Sequence, residues 1–280
     1  MITNIKDIPA YCINLEKRTD RWNVVKSQPG YKDFHHMERY LGVDGSTIDI
    51  VNDNRIALLT KRNILKKTRR SHEELSTSGG IGCYLSHVSL WRKFLDESYA
   101  PAMLVFEDDV KLTEDCFRIL QTLLETTLLK DTSMYDFCAL SASSNPKYTT
   151  RVPNFKNEHK LDRLNSFTNF GAYIITRKGA QTILPHVFPI QAHIDCFVGI
   201  CSSMNIIDLC APKEKIFKYN ISTSDIYDNN GCEICDIPVD FNKKSVLIPK
   251  HEYYRYKAEE TLLIGLIAYT VFQHFMKGKK

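Results

Sequence analysis

The chain lacks a large excess of charge of either sign: 37 lysines and arginines stand against 33 acids, leaving a formal net charge of +4 at pH 7. A balance this even does not by itself imply a nucleic-acid partner, and none is expected. No basic segment followed by an apolar core opens the chain, because Met1 to Pro9 holds Asn4, Lys6 and Asp7. No secretory leader is therefore expected there, and the thiols are expected to be reduced, with the catalytic part facing the cytoplasm. The nine cysteines are scattered and frame no short loops. Cys232 and Cys235 form one Cys-x-x-Cys with no second pair or suitably spaced histidines nearby, so structural zinc is not expected. A second dense acidic cluster is also missing, which weighs against a two-metal hydrolase. Hydrophobic runs stay short. The longest, Thr261 to Met276, would rise roughly 24 Å as a helix, less than the ~30 Å hydrocarbon core. Tyrosines and cations flank it as in an interfacial belt, while Gln273 and His274 interrupt it. Two readings stay open for residues 251–280: a tail anchor in a thin internal membrane, or a C-terminal helix packed on the domain of residues 1–250.

What is present is an ordinary globular composition, 43% hydrophobic and 25% charged, with length enough to bury a core. The chain is organised around residues 102–110, where the apolar run Ala102 to Phe106 stops at Glu107, Asp108 and Asp109. Nothing in that run alternates with polar residues, so it reads as a strand buried on both faces with acids at its carboxyl end. Open α/β sheets bind ligands at such ends. Three adjacent carboxylates repel one another, and a cation would neutralise them; oxygen ligands suit Mg²⁺ or Mn²⁺ better than Zn²⁺. A solvated acidic turn is the competing reading.

Residues 10–15 read as a first strand, followed by a loop turning into a helix, which puts Asn14, Arg18 and Arg21 near its carboxyl end. Arginines there can grip a diphosphate or pair with nearby acids such as Asp20. A second strand over 38–43 closes on Val43-Asp44-Gly45, where Asp44 can accept from a ribose hydroxyl or simply form a turn. Residues 47–78 are polar and basic, with a short helix near 56–65, and are expected to be the most mobile part, a lid. Lys61, Arg62, Lys66, Lys67, Arg69 and Arg70 could meet phosphates, acidic lipid headgroups or RNA, or form a solvated face. Apolar positions 81, 84, 85, 88, 91, 94 and 95 predict an amphipathic helix over 81–97. Ser86 and His87 are neighbours on it, about 100° apart, so a direct nucleophile–base pair is not expected. His87 is read as packed or substrate-facing, with a catalytic role as the alternative. A packing helix over 114–130, strands at 135–141 and 170–176, a surface loop over 142–165, and an apolar run at 194–201 before a strand at 206–210 complete the alternation. Cys196, Cys201 and Cys210 read as core residues, and Asp195 as a helix cap.

Ile13-Asn14-Leu15 with Arg18 and Asp20-Arg21, then Val43-Asp44-Gly45, Gly82-Cys83-x-Leu85-Ser86-His87, Trp91 and Glu107-Asp108-Asp109 occur in one order. The ordered set resembles glycosyltransferase family 25, which includes bacterial lipooligosaccharide galactosyltransferases and collagen hydroxylysine galactosyltransferases. Gly80 stands where many bacterial members carry an acid. The resemblance implies a nucleotide-diphospho-sugar transferase fold of the GT-A type with a central, mostly parallel sheet. It implies metal-dependent, inverting transfer of a hexose, galactose from UDP-galactose by default, to a hydroxyl on a glycan, a lipid-linked sugar or a protein. Glu107 and Asp109 would then hold Mn²⁺ or Mg²⁺, and Asp108 would reach the ribose or sugar. Asn14, Arg18, Arg21 and Asp44 would serve the nucleotide, and Asp195 would take the acceptor's proton, with His87 as a further catalytic candidate. A non-catalytic nucleotide-sugar or carbohydrate-binding protein and a metal-dependent phosphohydrolase are the rival readings.

Overall fold

The computed structural model describes residues 2–219 apart from 3, 35, 70, 144–149 and 153–160, together with Ala258 and Thr261. The apolar stretch 261–276, the domain boundary expected at 250 and the Cys232–Cys235 pair lie outside the described residues. Among those residues no helix is long and apolar enough to cross a membrane.

In chain order the elements are β1 (Ala10–Leu15), α1 (Thr19–Ser27), β2 (Met37–Gly42), α2 (Leu58–Lys66), α3 (Ser78–Glu97), β3 (Ala102–Glu107), β4 (Val110–Lys111) and α4 (Cys116–Thr126). They continue as β5 (Phe137–Ala139), β6 (Thr150–Val152), β7 (Leu161–Ser166), β8 (Ala172–Thr176), α5 (Arg177–Ile183), α6 (Ile194–Ser203), β9 (Leu209–Pro212) and β10 (Lys218–Tyr219). An eight-stranded sheet runs β2-β1-β3-β8-β5-β9-β7-β6, and β4 pairs separately with β10. In the large sheet β1, β2, β3, β5, β6 and β9 point one way; β7 and β8 run against them. The α/β class and the largely parallel sense of the sheet therefore match the sequence reading.

Strand β3 explains why the sheet has a core on each face. Met103 and Val105 face one apolar cluster with Tyr84, Val88, Trp91 and Phe94 of α3, while Leu104 and Phe106 face the other with Leu120 and Leu124 of α4. Side chains alternate along a strand, so an unbroken apolar run is what a layer between two sets of helices needs. Each fully buried side chain of this size contributes about 1.5–3 kcal/mol. Helix α3 begins at Ser78, earlier than the apolar periodicity indicates, because the Thr77 hydroxyl accepts from Gly80 N–H at 3.2 Å and caps it.

The parallel trio β2-β1-β3 brings three carboxyl ends together, and glycines lock α3 against them. A Cβ on Gly82 would stand 2.6 Å from both Gly45 N and Val43 O, so only glycine lets the helix meet this loop. Ser86 staples the same contact, accepting from Val43 N–H at 2.8 Å and donating to Gly82 O at 2.7 Å. Gly82→Ala is expected to destabilise the protein by about 1–3 kcal/mol through overpacking against backbone, read as a lowered urea midpoint. An unchanged midpoint would contradict the contact.

Several sequence expectations need correction. The stretch 142–165, read as a surface loop, supplies β6 and most of β7, which pair antiparallel at the sheet's edge. Its polar residues hid the strands, and edge pairing does not require an apolar run. The segment read as a lid is docked: Ile56 bridges Ile190, Glu74 bridges Ala192, and Ile56 and Leu75 are buried. The helix read over 114–130 divides into α4 and a 3-10 turn at Leu128–Lys130. Cys201 and Cys210 are buried as expected, whereas Cys196 is only partly so.

Candidate functional site

A cleft of about 260 Å³ opens where β1, β2 and β3 end, lined among others by Asn14, Lys17, Arg21, Asp44, Cys83, His87 and all three acids. Ser78 and Gly79 bring the first turn of α3 to the same cleft. A long helix presents unsatisfied amides and the positive end of its dipole there, a setting that favours an anion.

The three acids, adjacent in sequence, meet three different environments. Asp108 is gripped on both oxygens, by Arg21 Nη1 at 2.7 Å and Asn14 Nδ2 at 2.6 Å. Burial still lifts its carboxyl above the ordinary range, against the pull of those two partners. Glu107 faces His87, whose Nε2 lies 3.1 Å from its Oε1. Asp109 has a buried Oδ1 with no hydrogen-bond partner. Burial, reinforced by the charges of Glu107 and Asp108, pushes its carboxyl up to about 7.

His87 is fully buried and both of its ring nitrogens are engaged, Nδ1 lying 2.8 Å from the Tyr173 hydroxyl. Trp91 Nε1 donates to that hydroxyl at 2.8 Å. With His87 neutral, one direction satisfies every member: Trp91 N–H to Tyr173 oxygen, Tyr173 O–H to His87 Nδ1, and His87 Nε2–H to Glu107. The ring of Tyr173 stacks on Phe170 with centroids 3.9 Å apart, which holds the hydroxyl in place. Ser86, next to His87, points its hydroxyl into the α3 backbone, and no Ser–His pair forms.

The other predicted residues divide. Asn14 is buried and holds Asp108, the Arg18 carbonyl and, through its Oδ1, Arg39 Nε at 2.7 Å. Arg18 turns away to Asp20, at 3.0 and 2.9 Å, and does not line the cleft. Asp44 lines it, caps the turn Gly45–Thr47, and is held down to about 2 by hydrogen bonds from Lys17 and Ser46. Asp195 sits in the first turn of α6, accepting from Asn169 N–H at 3.0 Å and Cys196 N–H at 2.8 Å; the cap position itself is His193. It does not line the cleft. Its charge nonetheless reaches Cys83, whose thiol is raised by burial first, then by Glu107, Asp195, Asp109 and Asp108. Lys17 and Arg39 were missed. Lys17 lies in the stretch read as a loop turning into a helix, where only the arginines drew notice, and nothing in the pattern of β2 marks Arg39.

Two donor sets could take a cation. Cys83, His87 and Glu107 bring a thiol, an imidazole and a carboxylate within 4.8 Å of one another. There the imidazole is already bonded to the carboxylate, and burial keeps the thiol protonated. Glu107 and Asp109, with an unpartnered buried oxygen, form the oxygen side of the cleft. That side fits a hard divalent ion such as Mg²⁺ or Mn²⁺.

Comparison with known proteins decides the lineage. The family model described as glycosyltransferase family 25 (LPS biosynthesis protein) matches residues 7–198. The chain belongs to glycosyltransferase family 25. Membership supports a role in glycosyl transfer. The family 25 relatives include the inactive glycosyltransferase 25 family member 3 of Mus musculus, 39% identical over 57 residues, which are 20% of this chain and 10% of that protein. A provisionally named glycosyltransferase of Acanthamoeba polyphaga mimivirus is 25% identical over 122 residues, 44% of this chain and 35% of that protein. The chain thus matches from about a tenth to about a third of the length of these relatives. Mouse xyloside xylosyltransferase 1 is similar in structure with a TM-score of 0.34 and 10% identity, over 71% of this chain and 73% of that one, a likeness too slight to argue from.

Proposed function

We propose that this family 25 chain is a metal-dependent, inverting GT-A-type hexosyltransferase that moves galactose from UDP-galactose to a hydroxyl of a glycan, lipid-linked sugar or protein. The observation that carries the reading is the acidic triplet at the mouth of the parallel trio, with Asp109 Oδ1 buried and unpartnered beside a helix N-terminus. Such a group is costly in a metal-free protein and useful to one that binds a cation and a diphosphate together.

In this reading Glu107 and Asp109 hold Mn²⁺ or Mg²⁺. When bound, the ion neutralises charge on the departing UDP. Lys17 and the amides at the start of α3 face the diphosphate, and Asp44 takes the ribose or base side. Arg21 and Asn14 act through Asp108, fixing the backbone turn that carries its two neighbours. His87 positions Glu107, and the proton-taking role falls to Asp195, whose carboxylate is held in orientation by the Asn169 and Cys196 amides. Attack of the acceptor oxygen on the face of the sugar's anomeric carbon opposite UDP would form the new glycosidic bond as the bond to the UDP oxygen breaks, through an oxocarbenium-like transition state, and so give inversion.

A second reading has its own support, because a matched mouse relative is named inactive. On it the cleft binds a nucleotide sugar without transfer. Release of UDP from a panel of UDP-sugars, with and without acceptors and with Mn²⁺ or EDTA, separates the two. Slow Mn²⁺-dependent release from one donor, accelerated by an acceptor and lost in Asp109→Ala, is expected. Binding with no release, acceptors included, would leave the second reading standing. Release indifferent to acceptors would point to hydrolysis.

A further inference from the structure

Helix α2 sets only Ile64 against the apolar core and turns its leucines outward. The side chains it buries are polar: Thr60 donates to Ile190 O at 3.0 Å and Asn63 Nδ2 donates to Glu74 Oε2 at 2.9 Å, each 1% exposed. The side chains it presents to solvent are leucines, Leu58 at 84% and Leu65 at 62% exposure, on the stripe that also carries Arg62. Leu59 and Lys66 lie beside them and are exposed as well. A helix that packs for stability alone turns its leucines inward. Here backbone bonds from Ala57 N–H to Ile190 O and from Ile190 N–H to Arg55 O hold the segment on the body, so the outward leucines are not needed for docking.

Charge completes the pattern. Residues 54–72 contain seven lysines and arginines and no aspartate or glutamate. Exposed leucines between cations on one short helix match an interface that is anionic at its surface and apolar just beneath. We propose that α2 is a docking helix for an anionic lipid surface, its leucines entering the headgroup region and its cations meeting phosphates. An RNA partner would use the cations but leave the leucines without a role. Docking stands apart from the transfer reaction. It does have a geometric consequence: His193 N–H bonds Glu73 O, so the segment is tied to the start of α6, which carries Asp195.

The test is co-sedimentation of the full chain with vesicles of phosphatidylcholine alone, or of equal parts phosphatidylcholine and phosphatidylglycerol. Two double variants accompany the wild type, Leu58→Ser with Leu65→Ser and Arg62→Glu with Lys66→Glu. All four side chains are exposed, so unchanged melting temperatures are expected and are measured first. The wild type should bind the anionic vesicles and not the neutral ones, and each double variant should bind about tenfold more weakly or worse. Equal binding by wild type and both variants would overturn the proposal and place any membrane contact elsewhere in the chain. No vesicle binding by the wild type would also overturn it. So would binding of an RNA homopolymer that the charge variant loses and the leucine variant keeps, if vesicle binding follows the same pattern.

Discussion

Asp109→Asn is expected to melt higher than the wild type when metal is absent and to release no UDP when Mn²⁺ is present. The stability half follows from the carboxyl's environment. Burial and the charges of Glu107 and Asp108 raise it to about 7 from an ordinary value of 3.8, so between those values the folded chain holds a proton that the unfolded chain has lost. Stability therefore falls as pH rises through that window and stays low above it, where an ionised carboxylate is trapped beside two others. Asparagine removes that charge at nearly the same volume. The gain at pH 8 is expected to be about 1–3 kcal/mol, less than the full shift because water and ions reach the cleft. That corresponds to roughly 2–5 °C in a chain of this size and should vanish near pH 4. Thermal scans in EDTA across pH check it. A lower melting temperature for Asp109→Asn at pH 8 would show that the carboxylate is a structural group and not a poised ligand. The functional half belongs to the same trade, since a site kept unfavourable in the free protein is stabilised by what it binds.

Tyr173→Phe is expected to raise the Mn²⁺ concentration for half-maximal UDP release about tenfold, at a cost in stability of about 1–3 kcal/mol. The phenyl ring keeps the stack on Phe170, whereas the lost hydroxyl leaves Trp91 Nε1 and His87 Nδ1 without their shared partner. His87 is then free to turn, and Glu107 loses the group that orients it. A purely structural hydroxyl would lower the urea midpoint and leave the metal dependence unchanged. The paired measurement, midpoint against Mn²⁺ half-saturation, separates the two roles.

The sequence was most legible where burial is continuous. Ala102 to Phe106 announces a strand in the middle layer, and the acids that follow can only lie at its carboxyl end, so the centre of the site could be read from nine residues. Asn14 and Arg21 were legible as members of the site but not in their contacts. Both turn to Asp108, a partner 94 and 87 residues away, and such pairings depend on the order of β1 and β3 in the sheet. Arg18 shows the opposite case, because a partner two residues on, Asp20, takes its guanidinium from the cleft. The relay through Tyr173 joins residues 86 and 82 positions apart, and a tyrosine in an apolar strand carries no sign of it. Strands β6 and β7 were hidden by polar residues that an edge tolerates. The docked segment 55–75 was misread because its anchoring side chains, Thr60 and Asn63, look like surface residues.

If the acidic triplet binds a nucleotide through a metal ion, calorimetric titration of UDP into the full chain reads that binding without any need for an acceptor. UDP binding is expected in Mn²⁺, lost in EDTA and lost in Asp109→Asn. Equal UDP binding with and without Mn²⁺, or none in either condition, would contradict it.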